Sequence, residues 1–463
     1  LQTPGGSAII GRMRLGDIPQ LLRRGDVKGY LETSWALAWP MVLIMLFSFI
    51  ITLTDVFVAG RIGKEVQAAY GLVLQFYFIL SIVITALNVG AVSIISRLFT
   101  ADKHDEYIRS ISSAIVASLL VGVIIGVSGV AGAPGVLGML FMPDEVKAYA
   151  VPLLRIYAIG LFFHSILITT NSILRATHRI RKSLNTMGVV CILNVTLNFI
   201  LVFKTPLGFK GIGVATAASM CIGMLVNIYY VRTDIRSVRT WSWALVKKMF
   251  SIGWPIGLLQ LMWMLGQAVI YLILGMLPRH SVEAMAAFTN GVRVESAIYL
   301  PAFAFNFANA VVVGNMLGAK RYRDAYRNGW ITAGIGVCVI CVLTVIVVLN
   351  AQWLMPILSD NAMVVHESRW YLYIAALAEP MAAITFILSG GLEGAGDTRS
   401  VLLRVAASIW LIRLPLVYFF AIVLGLGISS VWWAMVISTF VQGALIMQRY
   451  WSRKWLPKNS PPL

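Results

Sequence analysis

Runs of apolar residues long enough to cross a bilayer recur along the whole chain, at roughly 35–59, 68–99, 110–140, 147–174, 184–204, 211–231, 248–277, 284–317, 328–357, 366–393, 400–424 and 427–451. About 20 such residues in a helix span the hydrocarbon core of a membrane. Lipid leaves backbone N–H and C=O groups no partner outside the protein, so runs of this length and number read as helices. The chain is 59% hydrophobic and 12% charged, against about 25% charged for soluble domains. The expected fold is an all-α polytopic membrane protein with about twelve transmembrane helices. Several runs exceed the minimum, which predicts tilt or extension beyond the bilayer.

The net charge of +18 raises the question of nucleic acid, and the placement of the charge answers it. With an even number of spans both termini share a side. About 27 Lys and Arg residues fall on that side and about 7 on the other. The first group includes Arg23, Lys28, Arg97, Arg109, Arg175, Arg179, Arg236, Arg239, Lys248, Lys320, Arg321, Arg399, Arg449 and Arg453. The second is Arg61, Lys64, Lys147, Lys204, Lys210, Arg279 and Arg369. The positive-inside rule then puts both termini in the cytoplasm of a multi-pass protein of the cell (inner) membrane, and the basic excess meets lipid headgroups rather than nucleic acid. The first thirty residues lack the apolar core and cleavage site of a signal peptide. They read as a basic interfacial segment broken at Pro19, and the start at Leu1 rather than Met reads as trimming or recombinant expression. Four cysteines, Cys191, Cys221, Cys338 and Cys341, all fall inside apolar spans. They read as small interior or lipid-facing residues rather than as a metal or redox site.

The chain repeats itself at a spacing of about 215–218 residues. Trp39-Pro40 pairs with Trp254-Pro255, the loop 97–109 with 315–327, Leu174-Arg175-Ala176 with Leu392-Glu393-Gly394, and Gly211-Ile212 with Gly427-Ile428. Each repeat crosses the membrane an even number of times, so the two have parallel orientation and are expected as two pseudo-symmetric six-helix lobes around a central cleft. The division is a cytoplasmic basic segment 1–34, an N-lobe 35–231, a linker 232–247, a C-lobe 248–451 and a cytoplasmic tail 452–463. Two lobes and a cleft suit alternating access. The chain has no G-x-x-x-x-G-K-[ST], no H-E-x-x-H and no plausible nucleophilic triad motif. It reads as a transporter driven by an ion gradient, not an enzyme, and no cofactor is expected.

Ionisable residues inside spans are informative because each costs about 2.5–3.5 kcal/mol at mid-membrane. Asp55 lies in the first span, fifteen residues after Pro40. A carboxyl removed from water favours its neutral form, which suits proton capture and release; the bland alternative is an acid solvated at the interface. Asn194 and Asn198, four residues apart, share one face of the fifth span, and Thr216 opens the sixth. Their oxygens beside one carboxylate suit either a titrating acid or a sodium ion, with interhelical packing as the alternative. Secondary candidates are Arg293 and Glu295 in the eighth span, where an internal ion pair competes with function. Others are Glu379 before the expected kink at Pro380, and His164 with Asn171 two turns on. For His164, a satisfied interior histidine is the alternative to a proton relay. Gln260, Met262, Trp263, Met264, Phe303, Phe305 and Met381 are candidate linings of an adaptable substrate cavity, with simple packing as the alternative.

Together these pieces resemble the multidrug and toxic compound extrusion (MATE) family over about 400 residues. The resemblance is carried by Trp39-Pro40, Asp55-Val-Phe-Val-Ala-Gly60, Asn88-Val-Gly90-Ala with Ser96-Arg97, and Asn171-x-x-Leu-Arg-Ala176. It continues through Leu193-Asn194-x-x-Leu-Asn198, Gly213-Val-Ala-Thr216-Ala, Gly314-Asn-Met-Leu-Gly-Ala319 and Leu392-Glu-Gly-Ala-Gly-Asp-Thr-Arg399. It implies a monomeric secondary antiporter that exports cationic or amphipathic compounds in exchange for protons, or alternatively sodium. Asp55 would then be the coupling acid, with a bend of the first helix at Pro40 linked to its protonation. An Asp common in the family at Asn198 is absent here. The acids another branch carries in spans seven and ten are replaced around Gln260 and Trp263 and at Ala382, and Asp55 maps by the repeat onto Ile270. Coupling is therefore expected in the N-lobe, as in the DinF-like branch, with sodium if present at Asp55, Asn194, Asn198 and Thr216. Two rival readings remain: a flippase for lipid-linked oligosaccharides or lipids, which calls for a strongly cationic cavity, and a membrane-embedded enzyme.

Overall fold

The structure is a computed structural model, and it describes residues 27–101, 103–139, 143–236 and 241–457. The interfacial segment around Pro19, Arg239 of the linker and the end of the tail lie outside the described residues. The first half folds into α1 (Val27–Ile62), α2 (Lys64–Thr100), α3 (His104–Gly138), α4 (Asp144–Ala176), α5 (Ile180–Phe203) and α6 (Lys210–Arg236). The second half begins with α7 (Trp243–Gly275), α8 (Ser281–Gly318), α9 (Tyr322–Leu349) and the short α10 (Ala351–Leu358). It closes with α11 (Ala362–Ala375), α12 (Glu379–Gly394), α13 (Thr398–Val423) and α14 (Ile428–Trp451). Among the described residues 11 helices are long and apolar enough to cross a membrane, and the bent pair α11 and α12 makes the twelfth span.

The helices outrun their apolar cores. The 36 residues of α1 reach about 54 Å at 1.5 Å per residue, well beyond a hydrocarbon core of about 30 Å. This corrects the boundary drawn at residue 34: residues 27–34 are the first turns of α1. Hydropathy did not mark these turns because neighbouring helix, not lipid, covers them. Tyr30 donates to Asp324 Oδ1 at 2.6 Å, and Ser34 bonds Asn328 and Thr332 of α9. The linker is likewise shortened from both sides, by α6 running to Arg236 and α7 starting at Trp243.

Prolines shape the second half in two ways. Pro380 stands in the first turn of α12, where its missing N–H is not needed, and α11 and α12 meet at 59°. The tenth span is therefore broken before Pro380 rather than kinked within one helix. In α13 two π-helical stretches, Ser408–Arg413 and Phe419–Val423, flank Pro415, where a missing donor and a bulky ring disrupt the ordinary ladder. Pro40 and Pro255 leave α1 and α7 continuous.

The halves approach closely where α2 crosses α7, with Gly90 against the Met249 carbonyl and Gly253 against the Ala86 carbonyl, and where α2 crosses α8. A Cβ at Gly314 would overlap the Ser96 side chain, and one at Gly318 the Arg97 carbonyl, so only glycine admits this approach. Hydrogen bonds between the halves cluster at the same end. Arg97 donates from Nε and Nη2 to the Gly394 carbonyl, both at 3.1 Å, and Ser93 donates to it at 3.2 Å. Thr100 donates to the Asn315 carbonyl at 2.6 Å, and the Asn315 amide meets His178 Nε2 at 3.2 Å. This is the end that carries most of the basic loops.

Candidate functional site

Asp55 is 2% exposed, beside a packed cluster that includes Val58, Ala59, Tyr70, Val73, Leu153, Tyr157 and Ile212. Four helices bring polar groups to it. From α5, Asn198 Nδ2 donates to Oδ1 at 2.8 Å. From α6, Thr216 Oγ1 donates to Oδ2 at 3.0 Å. Tyr157 of α4 donates its hydroxyl to Oδ2 at 2.9 Å, and Tyr70 of α2 makes a longer contact at 3.5 Å. Asn194 stands behind them, donating from Nδ2 to Thr216 Oγ1 at 3.0 Å and accepting from Asn198 Nδ2 at 3.2 Å. The four-residue spacing puts both asparagines on the same face of α5, Asn198 at the carboxylate and Asn194 behind it.

All of these donors are neutral. Among the described residues no Lys, Arg or His forms an ion pair with Asp55. A buried carboxylate compensated by hydrogen bonds alone is costly to keep charged. Asn198 Oδ1, also buried, has no hydrogen-bond partner among the described residues. Sequence reasoning named Asp55, Asn194, Asn198 and Thr216, which the fold brings together, and missed Tyr70 and Tyr157. Tyrosines are common in membrane helices, and only the crossing of α1, α2 and α4 shows which two face the acid.

An aromatic file leads away from the acid. The rings of Tyr157 and Tyr77 are 5.9 Å apart, and those of Tyr77 and His164 5.8 Å. His164 Nδ1 is buried with no hydrogen-bond partner among the described residues. It lines a cavity of about 200 Å³ between the halves, together with Ile44, Ser48, Asn88, Asn171, Arg175, Phe307 and Glu393. Asn171 is held in a structural network, accepting from Ser183 and from Asn227, each at 2.8 Å.

None of Gln260, Trp263, Met264, Phe303 and Met381 lines this cavity. Gln260 is exposed, as are Trp263 and Phe303, and Met381 packs against Gly443. Of the two residues placed with them, Phe305 is buried in the central core, and Met262 also stays outside the cavity.

The second half builds its own acidic cluster. Glu295 accepts from Tyr299 at 2.7 Å and from Tyr371 at 2.6 Å. Glu379 is 2% exposed, and its Oε2 has no hydrogen-bond partner among the described residues. Arg413, in the first π stretch of α13, donates to Ser438 at 2.8 Å and Thr439 at 3.0 Å. The internal pair considered for Arg293 and Glu295 does not form. Residues two apart on a helix do not face each other, and Arg293 instead lines an apolar groove with Val347, Leu354 and Leu358.

The MatE family model matches residues 40–200 and again residues 255–419, one match to each half of the repeat. The probable multidrug resistance protein NorM of Thermotoga maritima is 24% identical over 432 residues, covering 89% of this chain and 90% of that protein. An outward-facing multidrug resistance MATE transporter of the MOP superfamily superimposes with TM-score 0.86 at 20% identity, covering 94% of this chain and 98% of that one. The MATE transporter ClbM, solved in complex with Rb+, gives TM-score 0.82 at 24% identity, with 90% and 94% covered. Two family matches set at the repeat spacing, on a twelve-span helical fold, establish that the chain belongs to the MATE family of multidrug efflux transporters.

Proposed function

We propose that this chain is a proton-coupled antiporter that exports cationic or amphipathic organic compounds, with Asp55 as the coupling acid. The observation that carries the reading is a buried carboxylate surrounded only by neutral donors. Such a group gains most from acquiring one positive charge. Three short hydrogen bonds already occupy most of the lone pairs of Asp55. A sodium ion wants about five or six oxygen ligands and would have to turn those donors away. A proton needs one lone pair. Once protonated, Asp55 becomes a donor, and rotating the Asn198 amide offers it the otherwise unpartnered Oδ1.

Neutralising Asp55 weakens the hold of α4, α5 and α6 on α1. Pro40 leaves the Ala36 carbonyl without its helical donor, so α1 has a soft point where that release can be taken up as a bend. The hydrogen bonds between the halves at the basic end fit a state closed at that end. The cavity lining holds one arginine and one glutamate, which favours drug-like solutes over the phosphates of lipid-linked sugars.

The test is efflux of a permanently cationic dye from proteoliposomes, with each gradient imposed alone. A pH gradient in sodium-free buffer is expected to drive efflux. If transport is lost there and returns with a sodium gradient alone, proton coupling is wrong.

A further inference from the structure

The cavity between the halves carries two opposite charges at equivalent places of the repeat. Arg175 and Glu393 follow Leu174 and Leu392 in the last turns of α4 and α12. Both line the cavity and each is 9% exposed. Among the described residues neither enters an ion pair. The Arg175 guanidinium lies 4.8 Å over the ring of Phe307 from the other half. Nη2 is committed to Ser172 at 2.8 Å, and Ser172 in turn donates to Asn88 at 3.0 Å. Nε is buried and has no hydrogen-bond partner among the described residues. Glu393 Oε1 receives only a long contact from Asn306, at 3.5 Å.

The chain thus keeps a positioned guanidinium with a free N–H and a weakly satisfied carboxylate in one cavity, without joining them. Burying two charges and leaving both under-bonded is unfavourable for a merely structural pair. A solute carrying both charges would satisfy each. Arginine is suited to a carboxylate by its planar, charged donor set, and an aromatic plate under the guanidinium holds its orientation.

We propose that Arg175 and Glu393 form a subsite for zwitterionic organic solutes, the solute carboxylate on Arg175, its ammonium towards Glu393 and its apolar body against Phe307. The proposal rests on the export reading above and narrows its substrate class.

The probes are 4-(aminomethyl)benzoate and its methyl ester, alike in size and differing in the negative charge. Each is titrated calorimetrically into the full chain in detergent, with thermal unfolding of every variant as a folding check. The wild type is expected to bind the zwitterion about tenfold more tightly than the ester. Arg175→Gln should remove that preference and leave the ester within about twofold of wild type, and Arg175→Lys should keep part of it. Glu393→Gln should weaken both probes alike. Should Arg175→Gln fail to fold, the Lys variant and Glu393→Gln decide. Equal binding of the two probes by the wild type, or a preference that survives loss of Arg175, overturns the proposal. So does rescue of both single variants by the swap Arg175→Glu with Glu393→Arg, which would mean that the two residues pair with each other in another state. The dye efflux test is independent. Selective binding without efflux would sink the export reading and leave the subsite, whereas efflux without selectivity would do the reverse.

Discussion

At the scale of single residues, the neutral surroundings of Asp55 make its hydrogen bonds unequal in a way that can be measured. A hydrogen bond to a charged group contributes about 1.5–3 kcal/mol, so removing the 2.9 Å bond of Tyr157 should matter more than removing the 3.5 Å contact of Tyr70. Tyr157→Phe is expected to slow coupled dye efflux by about tenfold and Tyr70→Phe by about threefold or less. Equal losses would mean the two tyrosines serve packing alone. Asp55→Asn should abolish coupled efflux, to under about a tenth of the wild-type rate, while Gln260→Ala, altering an exposed side chain, leaves it largely intact. Similar losses from both would move coupling to the second half, where Glu295 and Glu379 would be the next residues to change.

At the scale of elements, α1 holds both the acid and its own weak point. Proline in a helix interior costs about 3 kcal/mol in soluble hosts. In a membrane helix neighbouring groups recover part of this. Pro40→Ala restores the missing N–H, so it should raise the unfolding temperature by a few degrees while cutting efflux several-fold. Dye binding should stay within about twofold, because Pro40 does not line the cavity. Unchanged efflux with a raised unfolding temperature would remove the bend from the mechanism. A related device caps the two equivalent helices α4 and α12. His178 and Gly396, at matching repeat positions, both take left-handed backbone, which turns the chain sharply after Arg175 and Glu393 and sets both residues at the cavity wall.

At the scale of the whole molecule, the charge asymmetry and the even number of spans make one topology. Single cysteines at Arg236 and Arg321 in a cysteine-free background should label only from the cytoplasmic side, and those at Lys64 and Arg279 only from outside. External labelling at either of the first two positions would break the twelve-span arrangement. The end with most of the basic loops is also where Arg97, Ser93 and Thr100 tie the halves together.

Spans and repeat were legible in the sequence because each rests on a property that a linear pattern records: apolar length and spacing. The acid and its amides were legible for a related reason, since a carboxylate stands out in a hydrophobic helix and a four-residue spacing fixes a face. Other features had no such mark. Nothing linear distinguishes Tyr70 and Tyr157 from the chain's other tyrosines, and nothing linear shows that His164 and Arg175 share one cavity. Lobe-to-lobe packing decided these points. The same packing turned Arg175, counted at first among the basic loop residues, into a buried cation lining the same cavity as Glu393. The sequence by itself determined which segments cross the membrane, and only the tertiary structure decided which of their faces meet.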